Sequence, residues 1–406
     1  MITNWIELPA HRLWLARHFQ HLLEFGRRTP HPSGGAAWLT DAGVPWLDQG
    51  VQTWITCRTV HVYCLGALAG RPGSRPVAAA ALAGLTGVLH DTESGGWFSA
   101  VAPDGSTPDE KAAYTHAFVV LAASSATAAG LEGAAELLAE ALAVFEERFW
   151  DEASGRSVDT WNRDFTVLDP YRGINANMHT VEAFLAAADV TGDRVWLDRA
   201  SRVAAFAVAQ AEANEWRLPE HYDSDWTPQL ELNVDRPDDK FKPYGATIGH
   251  GLEWARLLLH LEAAGATGVE WLPAAAALFD RAIADGWHAD GADGFVYTTD
   301  WSGRPVVRDR MHWVTAEAIG ASAALFRRTG NHTYSAHYAR YWDYAERFVL
   351  DHENGSWHHQ LDPQNRPADS VWPGKADLYH AAQATLIPTL PLAPSLATAL
   401  ARGLHA

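Results

Sequence analysis

The strongest constraint on how this 406-residue chain can fold is a repeat. Six segments share one plan, in which a turn-rich, aromatic loop runs into an apolar helix whose first turn is polar or aromatic. They are "WITCRTVHVYCLGALAG" from residue 54, "YTHAFVVLAASSATAAG" from 114 and "NANMHTVEAFLAAADVTG" from 175. The series continues with "YGATIGHGLEWARLLLHLEAAG" from 244, "MHWVTAEAIGASAALFRRTG" from 311 and "KADLYHAAQATLIP" from 375. With Arg58, His116, His179, His250, Trp313 and His380 as markers, the steps are 58, 63, 71, 63 and 67 residues. Each step holds the marked helix, a turn, a second amphipathic helix such as "RVWLDRASRVAAFAVAQA", and a return loop. Strand patterns are scarce.

Six helical hairpins at that pitch fit a closed double ring with six inner and six outer helices, an all-α fold. Inner helices of such a ring meet the outer ring on one side and fill the middle on the other, so they read as apolar nearly all round. They also point the same way, which gathers their N-terminal turns about one cavity. No linker divides the chain, which reads as a single domain over 1–406.

The helix expected over 374–388 opens with Lys375, Asp377 and His380, an odd trio for a buried element unless it faces that cavity. The other entrances bring Arg58; Tyr114 and His116; Asn175, Asn177 and His179; His250 and Glu253; and His312, Trp313 and Glu317. Three entrances place a histidine three residues before a carboxylate or amide: His179–Glu182, His250–Glu253 and His380–Gln383. At that spacing the side chains share a helix face, where a carboxylate holds an imidazole tautomer and raises its basicity for general-base work. A single histidine at a helix start is commonly a local hydrogen-bonding group. Recurrence at matched phase in separate repeats is not something helix capping requires.

Composition narrows the function classes. Hydrophobic residues make up 48% and charged residues 20%, enough for a large core, and the formal charge is −18. That charge disfavours nucleic acid and anionic membrane surfaces as partners. The two cysteines, Cys57 and Cys64, lie about 10 Å apart if they share a helix, at ~1.5 Å rise per residue, too far for a disulfide. They read as small buried hydrophobes, consistent with a reducing compartment. No signal-peptide core and no run of about 18 uncharged apolar residues is found, so the expected location is the cytoplasm. Nineteen tryptophans exceed ordinary usage, many of them beside Gly, Asp and His in loops. Most serve as large core residues, and some offer flat faces suited to sugar rings. Zinc-type cysteine pairs, HExxH, phosphate-binding glycine loops and GxSxG are all absent. The histidine–glutamate order is also the reverse of that in bundle-core iron sites.

The stretches "NANMHTVEAFLAAADVTGD", "GHGLEWARLL" and "GKADLYHAAQATLIP" resemble the N-acylglucosamine 2-epimerase superfamily. Within it, "WPGKADLYH" is similar to the aldose–ketose isomerase branch of mannose and sulfoquinovose isomerases rather than to the epimerases. The match runs from "TWITCR" to "YHAAQATLIP". It implies an (α/α)6 barrel and a metal-independent, cofactor-free isomerisation of an open-chain monosaccharide. By the same resemblance, His250 and His380 form the catalytic pair with Glu253 supporting His250. Arg58, Asn175 and His179 hold the carbonyl and hydroxyls. Trp313, Trp372 and Gln383 line the pocket, with Trp54 and Tyr114 beside them.

The expected reaction interconverts D-mannose and D-fructose, and D-lyxose and D-xylulose, through a cis-enediolate, in a monomer or homodimer. Two bases also permit 2-epimerisation, and sulfoquinovose is a further alternative. A glycoside hydrolase on the same barrel would want two carboxylates roughly 6.5–9.5 Å apart across the pocket, whereas histidines dominate these entrances.

Overall fold

The computed structural model describes residues 4–405 and is built of helices joined by long loops. In chain order the helices are α1 (Pro9–Phe25), α2 (Thr53–Leu68), α3 (Ser74–Leu85), α4 (Ala113–Ala128), α5 (Ala134–Val144) and α6 (Ile174–Thr191). They continue as α7 (Arg194–Ala213), α8 (Ile248–Ala263), α9 (Trp271–Gly286), α10 (His312–Thr329), α11 (His332–Tyr344), α12 (Tyr379–Leu386) and the short α13 (Leu396–Ala401).

The even-numbered helices α2 to α12 form the inner ring of an (α/α)6 barrel, each against its neighbours, with the odd-numbered helices α1 to α11 outside. The burial patterns follow from these positions. Of the 16 residues of α4, 13 are buried, because two layers of protein enclose it. Its neighbour α5 buries a stripe at Ala134, Leu137, Leu138, Ala141 and Leu142, the spacing of a helix with one dry side. Small residues let the inner helices approach closely, and buried hydroxyls are satisfied locally, as where Ser125 Oγ donates to Leu121 O at 2.9 Å.

Two expectations need correction. The sixth inner helix has no outer partner after it in sequence; α1, from the N-terminal end, packs against α12 and completes the outer ring. The α12 helix also begins at Tyr379 rather than near 375. Ahead of it, Lys375 N donates to Leu39 O in another loop at 2.9 Å, and Asp377 Oδ1 accepts from Tyr379 N at the helix start at 2.8 Å. The tail after α12 turns back, and α13 packs on α2, α4 and α6 to close the far end.

At the open end, antiparallel pairs set in the loops tie neighbouring repeats together: Val51 with Val101, Lys111 with Trp161, Arg172 with Tyr222, Ala246 with Thr299 and Arg310 with Leu361. Four of these five strands before inner helices are two residues long, too short for a period-two pattern to register. They hold each inner helix's first turn at the rim. No helix among the described residues is long and apolar enough to cross a membrane.

Candidate active site

All six repeats contribute to one cavity of about 700 Å³ at the open end. Its walls include Trp54 and Arg58 from α2, Tyr114 from α4, and Asn175 and His179 from α6. His250 and Glu253 come from α8, His312 and Trp313 from α10, Trp372 and Asp377 from the loop before α12, and His380 from α12 itself. Gln383 does not line this cavity. One turn deeper in α12, it donates its amide to Glu182 Oε1 at 3.0 Å.

The two imidazoles singled out by the repeat share one neighbour. The Trp313 ring lies 5.2 Å from that of His250 and 5.7 Å from that of His380, centroid to centroid. The close fit requires Gly249, since a Cβ there would sit 2.2 Å from the Trp313 ring. His250 Nδ1 lies 2.9 Å from both oxygens of Glu220, and His380 Nδ1 lies 3.0 Å from Glu317 Oε1. A carboxylate can only accept, so each Nδ1 donates and each Nε2 is left for a ligand.

The supports are therefore not the expected i+3 partners. Helical side chains lean toward the N-terminus. His250 reaches up to Glu220 in the α7–α8 loop, whereas Glu253, a turn deeper, points to the barrel axis. There Glu253 Oε1 meets Arg256 Nη2 at 3.4 Å.

That axis carries a charge network. Arg256 donates to Glu317 at 2.8 and 3.3 Å, and Tyr379 Oη donates to Glu182. Burial, reinforced by the neighbouring Glu317 charge, raises the Glu253 carboxyl well above its ordinary value. Burial pushes Glu317 the same way, but Arg256 and His380 outweigh it and keep it ionised. The two carboxyls are thus pushed in opposite directions, and it is Glu317 that holds His380. Two groupings, His179–Glu182–Glu253 and Glu253–Glu317–His380, have ligand atoms close enough to share a cation. The Arg256 guanidinium already supplies positive charge to Glu253 and Glu317.

The remaining walls combine cationic, polar and aromatic groups. Arg58 bridges Asp377 at 2.5 Å and Tyr114 Oη at 3.2 Å, lying over the rings of Trp54, Phe118 and Tyr379. Burial opposes its charge, but Asp377 more than restores it and the guanidinium pKa rises. Asn175 Oδ1 and His179 Nδ1 are buried without hydrogen-bond partners; His179 stands 3.8 Å from Glu182, beyond a hydrogen bond. Burial lowers the His179 pKa to about 4, with Glu182 opposing, so the ring is neutral. Trp54 and Trp372 meet edge to face at 5.9 Å.

Glu220, Trp38, Lys240, Phe241, Tyr297 and His359 were not read from the sequence as site residues. Glu220 sits near the start of the long α7–α8 loop, and Lys240 and Phe241 later in it, in the irregular stretch "RPDDKFKPYG", where no periodicity marks them. His116, Asn177 and Lys375, all at helix entrances, instead brace the scaffold. His116 Nε2 accepts from Trp97 N at 3.1 Å, and Asn177 pairs with the Ser157 backbone at 2.9 and 3.1 Å. Lys375 is clamped to Asp351 and to Gly355 O.

The sequence profile described as N-acylglucosamine 2-epimerase (GlcNAc 2-epimerase) matches residues 34–384. A D-mannose isomerase of Thermobifida fusca is 52% identical over 404 residues, 98% of this chain and 99% of that one. A D-mannose isomerase of Pseudomonas cannabina pv. alisalensis is 45% identical over 405 residues, 98% and 97% of the two chains. Among solved structures, a D-mannose isomerase superposes with a TM-score of 0.88 at 29% identity, covering 94% of this chain and 99% of its own.

Proposed function

The chain belongs to the N-acylglucosamine 2-epimerase family, and we propose that within it the protein is an aldose–ketose isomerase that interconverts D-mannose and D-fructose. Full-length similarity to two D-mannose isomerases supports this reading. The observation that carries the chemistry is the pair of imidazoles beside Trp313, each with Nδ1 committed to its own buried carboxylate. D-Lyxose and D-xylulose, which share the reacting carbons, form the side activity.

His250 Nε2, when protonated, donates to the ring oxygen as the C1–O5 bond breaks, while the O1–H bond gives its electrons to C1=O1 and its proton to solvent. His380 Nε2 then takes the C2 proton of the open-chain aldose. The C–H electrons form the C1=C2 bond of a cis-enediolate and the carbonyl pair moves to O1. Arg58 and the Asn175 amide stabilise that oxyanion in a pocket where burial strengthens them. The imidazolium formed on His380 sits between Glu317 at Nδ1, 3.0 Å away, and Asp377, 4.0 Å from Nε2. It returns its proton to C1 on the same face while O2 becomes the ketone carbonyl. His250 serves the transfer of the O2 proton to O1. One base working on one face yields the ketose; delivery to the opposite face of C2 would yield the epimer. No step of this scheme requires a metal.

The role of His380 is tested by deuterium exchange. The His380→Asn variant is expected to bind sugar while losing solvent exchange at C2. Full exchange at C2 in that variant rules the assignment out.

A further inference from the structure

The closed end of the barrel holds a second cavity, of about 550 Å³. Leu185, Leu257, Leu392 and Leu396 give it mostly apolar walls, into which His61 and His260 are set. Its polar groups are sharply defined. His61 Nδ1 meets Ser125 Oγ at 2.7 Å, and that hydroxyl's one proton goes to Leu121 O at 2.9 Å. Nδ1 therefore donates. His260 Nδ1 meets Leu392 O at 2.5 Å, and a carbonyl can only accept, so this Nδ1 donates as well. Burial lowers both imidazole pKa values to about 4. Each ring thus carries one proton, and each Nε2 is a bare lone pair, buried and without a partner. An acceptor left in that state forgoes the hydrogen bond that water gives it in the unfolded chain.

We propose that this closed-end cavity is a binding site for a small neutral molecule with an apolar body and one or two hydroxyl donors, a phenol or short alcohol, whose O–H groups bond His61 Nε2 and His260 Nε2. A sugar fits poorly, because the leucine walls would strand its other hydroxyls. A metal fits poorly too, since the carboxylate–histidine groupings able to share a cation, among the described residues, involve neither ring. The charged groups on the wall are already engaged, Arg256 with Glu317, Glu182 with Tyr379 and Gln383, and Asp189 with Ser395 N. Arg256 also holds Glu317, which holds His380, so occupancy at this end reaches the other cavity through a short chain of ion pairs. That last link alone rests on the functional reading above; the binding site does not.

Phenol is the probe. Thermal unfolding of the full chain with increasing phenol should show a saturable rise in Tm. Long-range 1H–15N spectra should move the Nε2 signals of His61 and His260 but not those of His250 and His380. Ala264→Trp, at the cavity wall, should weaken phenol at least about tenfold and leave mannose turnover within about twofold. If water alone fills the cavity, Tm does not rise and the proposal fails. It fails equally if phenol binding survives Ala264→Trp, or if only the His250 and His380 signals respond. The wild-type spectra decide the matter even if the variant does not fold.

Discussion

At the scale of single residues, function turns on which atom of each imidazole is already engaged. Under the mechanism proposed above, Glu220 fixes the tautomer of His250 and stabilises the imidazolium that donates to the sugar ring oxygen. Replacing it with leucine should lower kcat for mannose by about 10² with a much smaller change in KM, and Glu220→Asp should recover part of the loss. A merely structural role would lower the amount of folded enzyme and leave both constants alone. This residue was invisible in the sequence because it lies 30 residues before its partner, on a loop without a phase. Glu317 was visible at its entrance but appeared unpaired, its histidine being 63 residues further on. The i+3 spacing of Glu253 was read correctly as proximity along a helix. It misled about the partner, because the lean of helical side chains sends His250 outward while Glu253 points to the axis.

At the scale of elements, the loops that support the inner helices reuse a device. Lys111 donates to Asp91 at 2.9 Å and to Gly95 O, and Lys375 donates to Asp351 and to Gly355 O at 2.9 Å. Each lysine lies just ahead of an inner helix and each aspartate near the start of the same loop, soon after the outer helix, so the pair closes the loop that joins one repeat to the next. Both ammonium groups are fully buried. Removing one partner of a buried pair strands the other's charge, at a cost of about 3–5 kcal/mol. Lys375→Met should therefore lower the unfolding free energy by about 3 kcal/mol in urea titrations. A loss under about 0.5 kcal/mol would be the surface-pair result and would contradict the clamp. Lys375 had read as a pocket group because its position in the repeat is that of an entrance residue. Phase along the chain says where a side chain starts, whereas its reach is decided by loops that carry no period. The inner helices were legible for the opposite reason, since burial on both sides writes itself into every turn of α4 and α8.

At the scale of the whole molecule, the ring closes through contacts between the chain's two ends. Trp357 Nε1 donates to His18 Nε2 on α1 at 2.8 Å, and Trp38 Nε1 donates to Pro373 O at 2.8 Å. The repeat predicted a closed ring but not that α1 would supply the twelfth helix, because α1 stands before the first marker.

The closed ring also holds many titratable groups dry. Burial lowers His61, His179, His260 and His359 to about 4, against about 6.5 in an unfolded chain. In that window the unfolded state binds more protons, so stability is full above pH about 6.5 and falls as pH drops toward 4. Asp91 and Asp351 are held below the usual carboxylate range, their lysine and arginine partners outweighing burial. They add a further loss as pH falls past about 4. Calorimetry should show a Tm that begins to decline near pH 6.5, well above ordinary carboxylate titration. A constant Tm down to pH 4.5 would show that these rings are not held neutral by burial.

The central claim is that a barrel-end pocket with two carboxylate-supported histidines moves one proton between C2 and C1 of a free hexose. Proton NMR of D-mannose incubated with the enzyme in D2O and EDTA tests it most directly. The account predicts D-fructose carrying deuterium at C1, formed at a rate the chelator does not change. Accumulation of D-glucose in place of D-fructose, or loss of turnover on adding EDTA, would contradict it.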